Sequence, residues 1–210
     1  MKVLVIGAGN MGSAFVKQLS AAGHQVSVTA RSQEKAEALA NTYSGVSAVS
    51  SEGAAAEHDV VVLATAYADA VDALRKVGNL AGKVVIDITN PLTADYMGLT
   101  IGHDTSAAEE IARAVPGANV VKAFNTVFAQ VLAGGADFGE GRKVAVFVAS
   151  DSEAAKQTAK ALAESIGFDV VDAGGLKNAR YLEPLAGLNI YFGYGAGLGT
   201  SIAPVWIHKA

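Results

Sequence analysis

The chain has 210 residues, no cysteine and a formal net charge of −4, with 51% hydrophobic and 17% charged residues. This suits one well-buried domain, or one domain with a small addition. The missing cysteines exclude disulfides, zinc-thiolate and iron–sulfur sites and thiol catalysis, and the acidic balance argues against a nucleic-acid partner, whose phosphates need clustered Lys and Arg.

Met1 and Lys2 run into a strand without the layout of a signal peptide, which sets a cytoplasmic enzyme as the default class. Val3–Ile6 reads as a buried strand. "GAGNMG" follows at once, and then a helix over Asn10–Ala22, with Met11, Phe15 and Leu19 on one face and Gly23 as its stop. A second strand, Gln25–Thr29, leads to a helix over Gln33–Asn41. "GVSAV" is a short third strand, and "SEGAAAEH" a short helix with Ser51 as its candidate cap. "DVVVLAT" is a fourth strand, hydrophobic throughout as central parallel strands are. A helix covers Tyr67–Val77. "KVVIDIT" is a fifth strand that ends at Asn90–Pro91, and residues 92–105 read as irregular. A helix over Ser106–Val115 precedes the sixth strand, "NVVKAFNT". "KVAVFVAS" is the seventh, Ser152–Ile166 a helix, "DVVDAG" the eighth strand, and the remainder reads as helical.

Such alternation predicts an α/β fold: a doubly wound, mostly parallel sheet with helices on both faces. Residues 1–175 form the dinucleotide-binding part. Residues 176–210 form a small helical C-terminal cap or dimerisation segment, continuous with the rest.

Gly7, Gly9 and Gly12 stand between a strand and a helix, and each has a separate task. Gly7 makes the tight turn, Gly9 lets the backbone approach a pyrophosphate, and Gly12 lets the helix lie close to the strand. Asn10 and Met11 open the helix, whose free N–H groups favour phosphate. The second strand ends in "VTARSQEK", without the Asp or Glu that would bind the ribose hydroxyls of NAD. Arg31, Ser32 and Lys35 stand there instead, a set suited to a 2′-phosphate and therefore to NADP. Basic charge at a helix start opposes the dipole unless an anion is bound.

Ligands of open parallel sheets lie beyond the carboxyl ends of the strands. Thr65, Ala66 and Tyr67 follow the fourth strand, Asn90 and Pro91 the fifth, and Asn125, Thr126 and Val127 the sixth. Lys122 reads either as a ligand contact or as a partly buried strand lysine, and Asp87 as an acceptor behind the site. The four histidines, His24, His58, His103 and His208, are scattered and show no metal-ligand spacing. No general acid or base stands out at the strand ends, which fits hydride exchange between two cofactors better than alcohol oxidation. No catalytic side chain and no metal ligand is therefore assigned.

Pro184–Ile207 has no charged residue, a length that would permit a membrane span. Its five glycines, Asn189 and Pro204, and the lack of basic flanks favour a helix buried against the domain or a second subunit, with Gly193 and Gly197 permitting close approach.

"MKVLVIGAGNMGSAF", "ARSQEKAEALA" and "DAGGLKNARYLEPL" resemble the deazaflavin (factor 420)-dependent NADP reductase family. The resemblance covers nearly the whole chain. It implies a Rossmann-type NADP oxidoreductase that passes a hydride between NADP(H) and a deazaflavin, and usually a homodimer. It places the 2′-phosphate at Arg31, Ser32 and Lys35, the pyrophosphate at Gly7–Gly12, and the nicotinamide by Asn125, Thr126 and Val127. Family members often carry His at the Asn125 position and Pro at the Phe128 position. The turn "FNTVF" here also resembles relatives that reduce flavin (FAD or FMN) or ferric iron. A non-catalytic NADPH-binding redox sensor is the alternative from another class.

Overall fold

Strand runs rich in Val and Ile alternate with helices in the computed structural model, which describes residues 1–207. The strands are β1 (Lys2–Ile6), β2 (Gln25–Thr29), β3 (Val46–Ala48), β4 (Val60–Leu63), β5 (Val84–Asp87), β6 (Asn119–Lys122), β7 (Ala145–Val148) and β8 (Asp169–Asp172). The helices are α1 (Asn10–Ala21), α2 (Gln33–Ala40), α3 (Tyr67–Lys76), α4 (Ala107–Ala114), α5 (Ala129–Gly134), α6 (Glu153–Ser165) and α7 (Ala179–Ile190). Ser32, Ser106 and Ser152 cap α2, α4 and α6, each hydroxyl accepting a backbone N–H three residues on.

Six parallel strands form one sheet in the order β3-β2-β1-β4-β5-β6, the doubly wound Rossmann order. β7 and β8 pair in parallel with each other and join the edge through an antiparallel bridge between Lys122 and Ala149. The register aligns the strand ends in one row: Thr29, Ile6, Leu63, Asp87 and Lys122. Asp87 and Lys122 are thereby neighbours on one face.

The period-two alternation of β1 divides the core. Val3 and Val5 pack with Phe15 and Leu19 of α1 on one face, and Leu4 and Ile6 pack with Leu74 and Ile111 on the other. Phe124 joins the first half, edge to face with Phe15 at 4.9 Å.

Three elements depart from expectation. The sixth strand stops at Lys122 rather than Thr126, because Phe124 takes a left-handed turn at φ 59°. α5 is unforeseen; at six residues it is too short to show a period. The helix expected over residues 51–58 is one 3₁₀ turn, Ala54–Glu57, preceded by Gly53 at φ 70°.

The C-terminal remainder is helical only through α7 and a π-helical turn, Tyr191–Gly195, and then runs irregularly to residue 207, with Gly197 and Gly199 in left-handed turns. Gly193 does not serve as half of a helix-pairing motif. It is buried under the Phe128 ring, where a Cβ would come within 2.7 Å of Cζ, and Gly197 at φ 71° lies outside the helix. No helix among the described residues is long and apolar enough to cross a membrane. The last three residues of the C-terminal segment lie outside the described residues.

Candidate functional site

The row of strand ends opens onto two clefts on either side of the Gly7–Gly12 loop. One, of about 630 Å³, is lined by Gly7, Gly9, Arg31, Ser32, Lys35, Thr65 and Ala66 among others. The second, of about 250 Å³, is lined by Asn10, Met11, Asn90, Phe124, Asn125, Thr126, Val127 and Phe128, with a wall from the C-terminal segment. The start of α1 lies between them, and no side chain caps it.

The three glycines have different surroundings. Gly7 has φ 121°, and a Cβ there would strike the Ala64 carbonyl. Gly12 lies on the Gly7 carbonyl, so a Cβ there would strike the loop itself; it packs the helix and does not line a cleft. Gly9 has an extended φ of −84°, and a Cβ there would meet no atom within 4 Å. Only Gly9 is unexplained by the protein's own packing, and the space that its Cβ would enter belongs to the larger cleft. This open cradle over an uncapped helix start fits a pyrophosphate.

At the other end of the larger cleft, Arg31 is 88% exposed along its side chain, and its one ion pair among the described residues is with Asp69 at 3.4 Å. Lys35 makes no ion pair among those residues. The Ser32 hydroxyl accepts the Lys35 N–H at 3.2 Å as the cap of α2, which leaves its proton free to donate. The sequence reading missed the α3 wall of this cleft, where Asp69, Asp72 and Lys76 recur at helical spacing. It also missed Ser51, held to Thr29 by a 2.8 Å hydroxyl contact.

In the smaller cleft, Asn90 Nδ2 donates to the Asn125 carbonyl at 2.9 Å, and Asn125 Nδ2 donates to Asn90 Oδ1 at 3.0 Å and to the Leu182 carbonyl at 2.9 Å. Asn125 Oδ1 and Thr126 Oγ1 are buried without a hydrogen-bond partner among the described residues. An unmatched acceptor and an unmatched hydroxyl side by side fit an amide-bearing ligand such as nicotinamide.

Pro91 and Tyr67 line neither cleft. Pro91 is buried, and its carbonyl accepts the Thr100 N–H at 2.7 Å. Tyr67 starts α3; burial first, and then the negative charges of Glu110, Glu183 and Asp87, push its phenol above its ordinary pKa, so it is neutral near pH 7.

Lys122 is fully buried and has no opening to a ligand. Its ammonium contacts Asp87 Oδ2 at 2.7 Å and Glu183 Oε1 at 2.9 Å, and donates to the Thr89 carbonyl at 2.7 Å. One cation thus faces two carboxylates, and the excess negative charge is met by the start of α4: the Ala107 and Ala108 N–H groups donate to Glu183 at 2.9 and 3.2 Å. The other Asp87 oxygen accepts the Thr89 N–H at 2.8 Å, so Asp87 is an acceptor behind the site.

Glu183 comes from "DAGGLKNARYLEPL", and much of that segment serves to dock α7. Asp172 pairs with Lys156 at 2.8 Å, Asn178 donates to the Ala173 carbonyl at 2.6 Å, and Arg180 grips Glu109 with two bonds of 2.9 and 2.7 Å. The docked segment brings Ala186, Asn189, Ile190 and Tyr194 to the smaller cleft.

The family described as coenzyme F420-dependent NADP oxidoreductase matches residues 2–91. A crystal structure from Arthrobacter sp. FB24, provisionally named an F420-dependent NADP-reductase, is 30% identical over 96% of this chain and 96% of its own, with a TM-score of 0.84. A hypothetical protein from Sinorhizobium meliloti is 31% identical over 84% of this chain and 86% of its own, with a TM-score of 0.76. Metalloreductase STEAP3 of Rattus norvegicus is 28% identical over 185 residues. That match takes in 88% of this chain but 36% of the rat protein, so the chain spans about a third of that relative.

Proposed function

The chain belongs to the family of coenzyme F420-dependent NADP oxidoreductases and is an NADP-dependent reductase, and from that premise we propose that it passes a hydride between NADP(H) and a planar second redox partner, a deazaflavin or a flavin. The observation that carries this reading is the pair of clefts flanking the uncapped start of α1, with basic residues at one end and the Asn90–Asn125 brace at the other.

Arg31, Ser32 and Lys35 would hold the 2′-phosphate, and the loop at Gly9 the pyrophosphate. Thr65 and Ala66 flank its path. Asn125 Oδ1 and Thr126 Oγ1 would bond the carboxamide, with Met11, Val127 and Phe128 around the ring. When bound, NADPH supplies two electrons and one proton as hydride, and the acceptor ring takes its second proton from water. The side chains of this chain orient and exclude water. No His, Asp, Glu, Lys or Arg lines the smaller cleft, so no essential acid or base is assigned. Orientation alone can supply roughly 7–11 kcal/mol of barrier reduction when the reacting atoms are held close.

Similarity to a metalloreductase supports a second reading, in which a ferric chelate or a flavin is the acceptor on the same fold. The deciding experiment is anaerobic NADPH oxidation against coenzyme F420, FMN, FAD, a ferric chelate and a quinone. Turnover with a planar ring is the expected result. Tight NADPH binding without turnover of any acceptor would leave the redox sensor as the function.

The same reading takes the protein as a cytoplasmic homodimer. Its support is the apolar surface of the C-terminal segment, where Leu188, Tyr191, Phe192, Leu198 and Trp206 are exposed together with a shallow apolar groove between α7 and Pro204. Sedimentation at micromolar concentration tests it, and a monomer would count against it.

A further inference from the structure

The segment after β5 contains a small closed hairpin. Leu92 and Leu99 form an antiparallel bridge, the Thr93 N–H donates to the Gly98 carbonyl at 2.9 Å, and the Gly98 N–H donates to Thr93 Oγ1 at 2.9 Å. The Met97 N–H donates to Asp95 Oδ1 at 3.1 Å, and the Thr100 N–H closes the base on the Pro91 carbonyl. Small residues of the C-terminal segment receive the hairpin. A Cβ at Gly195 would lie 3.4 Å from the Met97 sulfur, and one at Gly187 would lie 3.9 Å from Leu99 Cδ2.

Tyr96 sits at the tip with φ 63°, a left-handed conformation that a bulky residue seldom adopts. Phe124 shares this conformation but is fully buried between Phe15 and Phe168, so packing holds it. Tyr96 has no such burial: it is 62% exposed. A glycine or asparagine would make the same turn with less strain. The fold therefore does not explain the ring. The ring lines the mouth of the smaller cleft, as does Tyr194, itself 61% exposed and edge to face with Phe128 at 5.8 Å. Tyr194 is carried by the π-helical turn, a distortion that often marks functional positions.

We propose that Tyr96 is a binding residue for the second substrate: with Tyr194 it forms an aromatic grip for a planar conjugated ring at the outer end of the smaller cleft. The proposal rests on the reading that the acceptor is planar. Two exposed rings at one mouth present π faces and edges to a flat ligand and offer little to a compact hydrophilic chelate. The hydrogen bonds that close the hairpin fix the left-handed backbone at its tip, and with it the direction of the Tyr96 Cα–Cβ bond, which lowers the ordering cost of binding.

The test uses Tyr96→Gly, Tyr96→Asn and Tyr96→Phe in the full chain. Binding of coenzyme F420 and of FMN is followed by their own fluorescence with NADP⁺ present. NADPH affinity and the Tm of the free protein are measured alongside, and turnover with ferric citrate serves as the non-planar control. The Gly and Asn variants should bind the planar rings roughly 3- to 12-fold more weakly, the size of one aromatic contact. Tyr96→Phe should bind like wild type. NADPH affinity should be unchanged, ferric turnover should fall less than planar-ring binding, and the Tm should stay at or above the wild-type value.

Unchanged ring binding in both Gly and Asn variants, with wild type binding, would overturn the role of Tyr96 and leave the proposed function standing. A Tm several degrees lower in both would make the ring a structural element and overturn the proposal. Wild type that binds neither ring would instead refute the planar-acceptor reading itself, and the grip with it.

Discussion

Asn90 and Asn125 hold each other across the ends of β5 and β6, each giving its side-chain amide to the other residue. That exchange and a bond to the Leu182 carbonyl use both donors of the Asn125 amide and leave its Oδ1 unmatched. The brace thus fixes the orientation of a side chain that lines the smaller cleft. Asn90→Ala should lower hydride transfer about 10- to 100-fold through misplacement of the nicotinamide, with NADPH affinity changed only a few-fold. Single-turnover rates with deuterated NADPH check this. If a substitution at Asn90, Asn125 or Tyr67 abolished turnover and an added buffer base restored it, the site would hold an acid–base catalyst after all.

The glycine loop separates folding from binding. Gly9→Val should fold with nearly wild-type stability, because its backbone is extended and the Cβ space is open, yet it should not bind NADPH. Gly12→Ala should fail at folding, since its Cβ would strike the Gly7 carbonyl. Thermal melts with and without NADPH distinguish the two. A Gly9→Val protein that bound NADPH normally would remove the pyrophosphate from this loop.

On the proposed reading, Arg31 would exchange Asp69 for the 2′-phosphate of a bound cofactor. Arg31→Ala should weaken NADPH by about 1.5–3 kcal/mol, roughly 10- to 150-fold, and leave NADH almost unchanged. Asp69→Asn frees the guanidinium and removes a negative charge from the cleft, so NADPH should bind a few-fold more tightly. Titration calorimetry with both nucleotides measures each effect. Equal affinity of the wild type for NADH and NADPH would refute the assignment of Arg31, Ser32 and Lys35.

Lys122→Met should cost about 3–5 kcal/mol, because Asp87 and Glu183 stay buried without their cation. Replacing all three with Met, Asn and Gln should recover much of that loss. Urea unfolding of the single and triple variants decides the matter; equal stability of wild type and Lys122→Met would show the network to be hydrated.

The Arg180 pair gives a pH signature. Hydrogen bonding from Arg180, and then from Ser106, holds the Glu109 carboxyl below its ordinary value of 4.5. A group lowered in the folded state stabilises above its unfolded pKa and stops doing so as pH falls through the folded one. Arg180→Met should therefore destabilise at pH 7, by about 1–3 kcal/mol for a charge-assisted pair, and the difference from wild type should shrink as pH drops below 4.5. Unfolding curves across that range test the direction.

The sheet and the glycine loop were legible in the sequence because their signals are local. "VLVI", "VVVL" and "VVID" carry strand character in themselves, and the glycine spacing falls within one strand–turn–helix unit. The partners of Lys122 were not legible. Asp87 meets it through sheet register, and Glu183 reaches it from a helix far along the chain. The tip of the 92–99 hairpin was also hidden, since nothing in "TADYMG" announces a left-handed tyrosine. The C-terminal stretch misled by composition: its glycines read as a helix interface, whereas Gly193 accommodates Phe128, and Gly197 and Gly199 make turns. Asn189, one amide in an otherwise apolar run, was the available clue that α7 forms a wall of the cleft; it donates to the Thr126 carbonyl at 3.1 Å.

The dependence of Lys122 on Glu183 also sets an order for the birth of the molecule. A ribosome releases β6 well before α7, so for part of synthesis Lys122 has only Asp87 and the Thr89 carbonyl, and the first amides of α4 lack their carboxylate. In that interval water must serve these groups, and the far edge of the sheet cannot close around them. The glycine loop is complete in sequence by residue 12, whereas Ala186, Asn189 and Ile190, which line the smaller cleft, come with α7. A chain cut at residue 175 would lack Glu183, and with it the second carboxylate of Lys122.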